Sequence, residues 1–153
     1  MQDSKKLQTS NGKNGRLIAE LIADGNIHGR CLMMGNILIA SRDDACRNKL
    51  LKIFTGKGLS VHSVWEDTDL LIEVLERDYD LIIYDLELSD LNGFKMVKII
   101  RKMRPKLALF VVSGNPSKEL GGKILQEGVA YYALKPIDPN AIKEALFTAL
   151  KHS

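Results

Sequence analysis

The sequence has little of what marks specialised small proteins. Only 2 of its 153 residues are cysteine, Cys31 and Cys46. That is too few for a disulfide scaffold, and neither CxxC nor Cys/His zinc spacing occurs. Reduced thiols in a cytoplasmic protein are the expectation. Aromatic residues amount to 6%, and none interleave with basic residues as a base-stacking surface requires. A net charge of +3 is too small to argue for direct nucleic-acid binding. No apolar run approaches the roughly 20 residues of a membrane span, and the polar N-terminus does not read as a secretory signal.

What is present is ordinary globular composition, 45% hydrophobic and 27% charged, enough for one core. Residues 1–35 are expected to form a flexible extension, because 1–15 are polar and rich in Gly and Asn. Within it, Leu17, Ile18, Leu21 and Ile22 recur at helical spacing and predict a short amphipathic helix over 16–24. Met33-Met34 is a candidate alternative start just ahead of a folded domain expected over 36–153.

From residue 36 apolar strand-like and amphipathic helix-like segments alternate. Strands are predicted over 36–41, 59–65, 81–84, 107–112 and 131–134, and helices over 44–55, 68–77, 94–103, 117–126 and 139–151. Five such units with short connections predict an α/β fold, a doubly wound, five-stranded parallel sheet covered by helices on both faces. The first, third and fourth strands are apolar throughout, whereas the second alternates as an edge strand does. The order 2-1-3-4-5 follows, a flavodoxin-like three-layer sandwich whose site lies at the carboxyl ends of the strands.

Three residues converge there. Asp85 closes the third strand, Ser113 the fourth and Lys135 the fifth. A carboxylate, a hydroxyl and an ammonium on neighbouring strand ends suit the holding of a phosphoryl group, with Asp85 as oxygen nucleophile and the other two binding phosphoryl oxygens.

The motifs Asp80-Leu-Ile-Ile-Tyr-Asp85, Leu91-Asn-Gly-Phe94, Val111-Val-Ser-Gly114 and Tyr132-Ala-Leu-Lys-Pro136 together resemble the receiver domain of bacterial two-component response regulators. Their separations from Asp85 are those usual in that family. The resemblance implies that Asp85 is the phospho-acceptor, Ser113 the hydroxyl switch, Tyr132 the aromatic switch and Lys135 the lysine of the site. Lys135-Pro136 would be the family's cis peptide, and Gly93 its glycine at the third helix. The implied role is a single-domain receiver in a phosphorelay. It would accept phosphate from a histidine kinase or phosphotransfer protein, and signal by protein binding through the fourth helix, fifth strand and fifth helix. Homodimerisation is compatible with this role. An enzyme acting on a diffusible substrate is not expected, only self-phosphorylation and autodephosphorylation.

One departure stands out. Family members carry an acidic pair after the first strand that binds Mg²⁺, and here that pair is Ser41 and Arg42. Asp85 and the backbone carbonyl of Glu87 remain as metal ligands, with Asp43 as a helper, so weak Mg²⁺ binding is expected. Alternatively Arg42 pairs with Asp85 and the domain is a pseudo-receiver that binds partners without phosphate. A small phosphatase or FMN binder on the same fold is a further reading. The loop Ser41-Arg-Asp-Asp-Ala45, however, lacks the hydroxyls and glycines of an FMN phosphate cradle, and no second metal-binding acidic pair is evident at the fourth strand. The lysine- and arginine-rich third helix is read as a solvated face. Gly121-Gly122 should weaken the fourth helix.

Overall fold

The computed structural model describes residues 18–21, 31–56, 58–88 and 92–151, with side chains over 35–56, 58–88 and 92–149. In chain order these residues form β1 (Ile18–Leu21), β2 (Cys31–Ala40), α1 (Asp44–Phe54), β3 (Leu59–Val64), α2 (Asp67–Glu76) and β4 (Leu81–Asp85). A single 3₁₀ turn (Leu86–Leu88) follows, then α3 (Gly93–Met103), β5 (Ala108–Ser113), α4 (Lys118–Gln126), β6 (Tyr131–Leu134) and α5 (Pro139–Lys151). No described helix is long and apolar enough to cross a membrane.

The five parallel strands run β3-β2-β4-β5-β6, the predicted 2-1-3-4-5 order. Because β4 is central, side chains on both of its faces must be apolar, and all five of its residues are buried. Ile82 and Tyr84 face one cluster, with Leu38, Leu70, Val97, Leu109 and Ile124. Leu81 and Ile83 face the other, with Ile37, Leu50, Phe110, Ile142 and Leu146. Thus α2, α3 and α4 cover one face of the sheet and α1 and α5 the other. Burying a Leu, Ile or Val contributes roughly 1.5–3 kcal/mol each, so these two layers fix the register that aligns the strand ends. The alternating exposure of β3 matches its place at the edge.

The helix expected over 16–24 is not formed where the chain is described. Ile18–Leu21 is a strand, paired antiparallel with Cys31–Met34 so that Ile18 lies opposite Met34 and Leu21 opposite Cys31; residues 1–17 and 22–30 lie outside the described residues. Leu17, Ile18, Leu21 and Ile22 fit a helical face, but two turns of helix are marginal alone, and a neighbouring strand supplies the backbone partners instead. Strand β2 therefore begins at Cys31, ahead of the expected boundary at residue 36, and runs through it.

Local chemistry explains the helix starts that frame the site. Asp43 caps α1, its carboxylate accepting from the Ala45 and Cys46 N–H groups. Asn92 and Ser117 cap α3 and α4 in the same way. Gly93 opens α3 against the turn that follows β4. A Cβ there would fall 2.2 Å from the Leu86 carbonyl oxygen, so only glycine permits that approach.

Candidate functional site

Register sets the site. Ala40 pairs with Tyr84, Asp85 with Val112 and Ser113 with Leu134, so Ser41, Asp85, Ser113 and Lys135 emerge side by side at the carboxyl edge. Ser41, Asp85 and Ser113 are the buried polar residues of the described chain, at 0%, 1% and 0% exposure. Buried polar groups need partners, and these three have them.

Asp85 is held on both oxygens. Its Oδ2 accepts from Ser41 Oγ at 2.7 Å and from Lys135 Nζ at 2.8 Å, and its Oδ1 accepts from the Glu87 backbone N–H at 3.1 Å. Lys135 also bonds Asp43 Oδ2 at 3.2 Å and lies 3.3 Å from Glu87 Oε1, so one ammonium serves three carboxylates. Partial burial pulls the Lys135 pKa down, but the hydrogen bond and charge of Asp85 outweigh it and leave the pKa above its ordinary value. The Cys46 N–H and Lys135 hold Asp43 below its ordinary value. The Lys135-Pro136 peptide is cis.

The alternative in which Arg42 pairs with Asp85 is not the one formed: among the described residues the Asp85 carboxylate bonds Ser41, Lys135 and the Glu87 N–H. Arg42 is exposed, and the counter-charge of Asp85 is Lys135. Just beyond the end of β2, Ser41 is buried and donates to Asp85, whereas the next residue, Arg42, is exposed. Of the two residues that stand in place of acids, Ser41 is the one inside.

Ser113 does not face Asp85. Its hydroxyl donates to Glu87 Oε2 at 2.7 Å, while Glu87 Oε1 accepts from the Gly114 N–H at 2.8 Å. Burial raises the Glu87 pKa, but the Ser113 hydroxyl, the Gly114 N–H and Lys135 more than offset this and leave it lowered. The receiver resemblance implies a role for Glu87 only through its backbone carbonyl, its carboxylate figuring only in the phosphatase alternative as part of Asp85-Leu-Glu87; its side chain bonds Ser113 and Gly114 and lies beside Lys135. An acid two residues beyond a strand-end Asp carries no periodic signal, and only its proximity in sequence to Asp85 pointed to it.

Tyr132 packs into the sheet face covered by α4. Its hydroxyl is buried without a hydrogen-bond partner among the described residues, and a Cβ at Gly121 would lie 3.1 Å from its ring. Gly121 is thus the space that admits the ring.

Asp43, Cys46 and Asp85 bring their ligand atoms within 4.8 Å of one another. Two carboxylates suit a hard cation that keeps several waters, as Mg²⁺ does. The buried Cys46 thiol does not suit one, because desolvation and the Asp85 charge push its pKa up to about 11.

Residues 37–147 match the family described as the response regulator receiver domain. The chain is 26% identical over 118 residues to the transcriptional regulatory protein ZraR of Salmonella typhimurium, covering 77% of this chain and 27% of that protein. It is 27% identical over 117 residues to GlrR of Escherichia coli K12, covering 76% and 26%. It thus spans about a quarter of the length of these multi-domain relatives. Among solved structures, a CheY-like receiver domain from Methanospirillum hungatei JF-1 superposes with a TM-score of 0.69 at 26% identity, covering 78% of this chain and 99% of that one. A Burkholderia pseudomallei response regulator with a phosphorylated aspartic acid and a calcium ion superposes at 0.67 and 20% identity, covering 76% and 69%.

Proposed function

Because the chain belongs to the response regulator receiver domain family, we propose that it accepts a phosphoryl group on Asp85 in a phosphorelay. The observation that carries this reading is the buried Asp85 carboxylate at the end of the central strand, 2.8 Å from Lys135 Nζ. In transfer from a phosphohistidine of a kinase or phosphotransfer protein, a carboxylate oxygen of Asp85 forms the P–O bond as the P–N bond breaks, and the histidine, already protonated on its other ring nitrogen, leaves as neutral imidazole. Lys135 then offsets charge on the phosphoryl oxygens. Mg²⁺ would be held by Asp43 and Asp85 and would supply further charge neutralisation. Its binding is weak, because Lys135 already occupies those carboxylates and Ser41 and Arg42 bring no acid.

The output is protein binding through the face formed by α4, β6 and α5, in a cytoplasmic setting, without chemistry on a diffusible substrate. Acetyl phosphate with Mg²⁺ should add one phosphoryl group to the protein, read by intact mass, and Asp85→Asn should abolish it. Labelling that survives in Asp85→Asn would rule the assignment out.

A second reading is favoured by one observation: Ser41, Lys135 and the Glu87 N–H already engage both oxygens of Asp85. In that reading the domain binds its partner without phosphorylation, and partner affinity is the same before and after acetyl phosphate treatment.

A further inference from the structure

A phosphoryl group on Asp85 would bring three charged oxygens to the strand ends, where they need donors. The donors available are the Ser113 hydroxyl, the Gly114 N–H and the Lys135 ammonium. All three already meet one anion. Glu87 Oε2 takes the Ser113 proton at 2.7 Å, Glu87 Oε1 takes the Gly114 N–H at 2.8 Å, and the same oxygen lies 3.3 Å from Lys135 Nζ.

Glu87 is well held for this task. It sits in the 3₁₀ turn directly after β4, and its own N–H is anchored on Asp85 Oδ1. Its side chain reaches across to the end of β5, where the Ser113 hydroxyl also accepts from the Asn115 N–H. Hydrogen bonds to a charged acceptor are the stronger kind, and a hydroxyl has one proton to give.

We propose that the Glu87 carboxylate is the resident anion of the site's oxyanion cradle, occupying Ser113, Gly114 and Lys135 in the unphosphorylated protein and competing with the phosphoryl group for them. This rests on the reading of Asp85 as acceptor. Phosphorylation then exchanges one anion for another, and Glu87 governs its rate. The carboxylate also repels an incoming phosphoryl donor of like charge.

The test compares wild type with Glu87→Ala, which removes both charge and acceptor from a side chain that is 46% exposed and whose loss opens no core cavity. With acetyl phosphate and Mg²⁺, Glu87→Ala should label at Asp85 faster by about tenfold, the scale of losing one charged hydrogen-bond competitor. Glu87→Gln should fall between the two proteins. Labelling of Glu87→Ala at the wild-type rate or slower would overturn the proposal. If neither protein is labelled, the acceptor reading fails, and the Gly114 amide resonance under titration with inorganic phosphate decides the proposal separately. A saturable shift in Glu87→Ala that is absent from wild type supports the cradle; no shift in either, or the same shift in both, overturns it.

Discussion

At the scale of single residues, the site is a set of charges whose ionisation the fold has moved in opposite directions. Asp43 and Glu87 are lowered from ordinary values of 3.8 and 4.5, and Lys135 is raised from 10.5. For the two acids, the contribution to stability is complete above the ordinary value and is lost as pH falls through the lowered one. For Lys135 it is complete below the ordinary value and lost as pH rises through the raised one. Thermal denaturation should therefore give a midpoint that is flat between these limits and declines at both the acid and alkaline ends. Glu87→Gln should reduce the acid-side decline. Metal affinity belongs to this scale as well. Ser41 is inside the pocket and Arg42 outside it, so Ser41→Asp alone should account for most of the gain in Mg²⁺ affinity seen in the Ser41→Asp/Arg42→Asp double variant, measured by calorimetric titration. Equal contributions from the two positions would contradict a pocket that holds the buried Ser41 and not the exposed Arg42.

At the scale of elements, α4 carries two adjacent glycines with opposite environments. A Cβ on Gly122 meets open space, whereas one on Gly121 would press on the Tyr132 ring at 3.1 Å. Gly122→Ala should stabilise the domain by about 1 kcal/mol through helix propensity. Gly121→Ala should gain less or lose stability, and should shift the Tyr132 ring resonances, because the tyrosine must move to admit the methyl group. Denaturant midpoints and side-chain NMR check both. The element pattern from β2 onward was legible in the sequence because strand and helix periods differ and each segment kept one of them. The extremity was not: in Ile18–Leu21 an apolar spacing compatible with a helix was overridden by pairing with Cys31–Met34, a long-range contact that no local window contains. In the site, Asp85, Ser113 and Lys135 were legible from strand ends alone. That Glu87 takes the Ser113 hydroxyl and that Ser41 bonds Asp85 was not, because side-chain direction just beyond a strand end is set only after strand and turn have formed.

At the scale of the whole molecule, the pocket is assembled from segments that are far apart in the chain. Asp85 meets Ser41 across 44 residues and Lys135 across 50. Every strand pairing within the parallel sheet spans at least one intervening helix, the kind of topology whose loop-closure entropy slows folding. A partly assembled sheet in which β2 and β5 flank β4 before β6 docks would bury the Asp85 carboxylate without its ammonium, and a desolvated unpaired charge is costly. The residue placed for chemistry would then also be a kinetic obstacle on the way to the native state. Asp85→Asn keeps the shape and removes the charge. In stopped-flow refolding it should fold several-fold faster than wild type, with a smaller change in the unfolding limb, a pattern that places the burden of the functional carboxylate in the barrier and not in the finished structure.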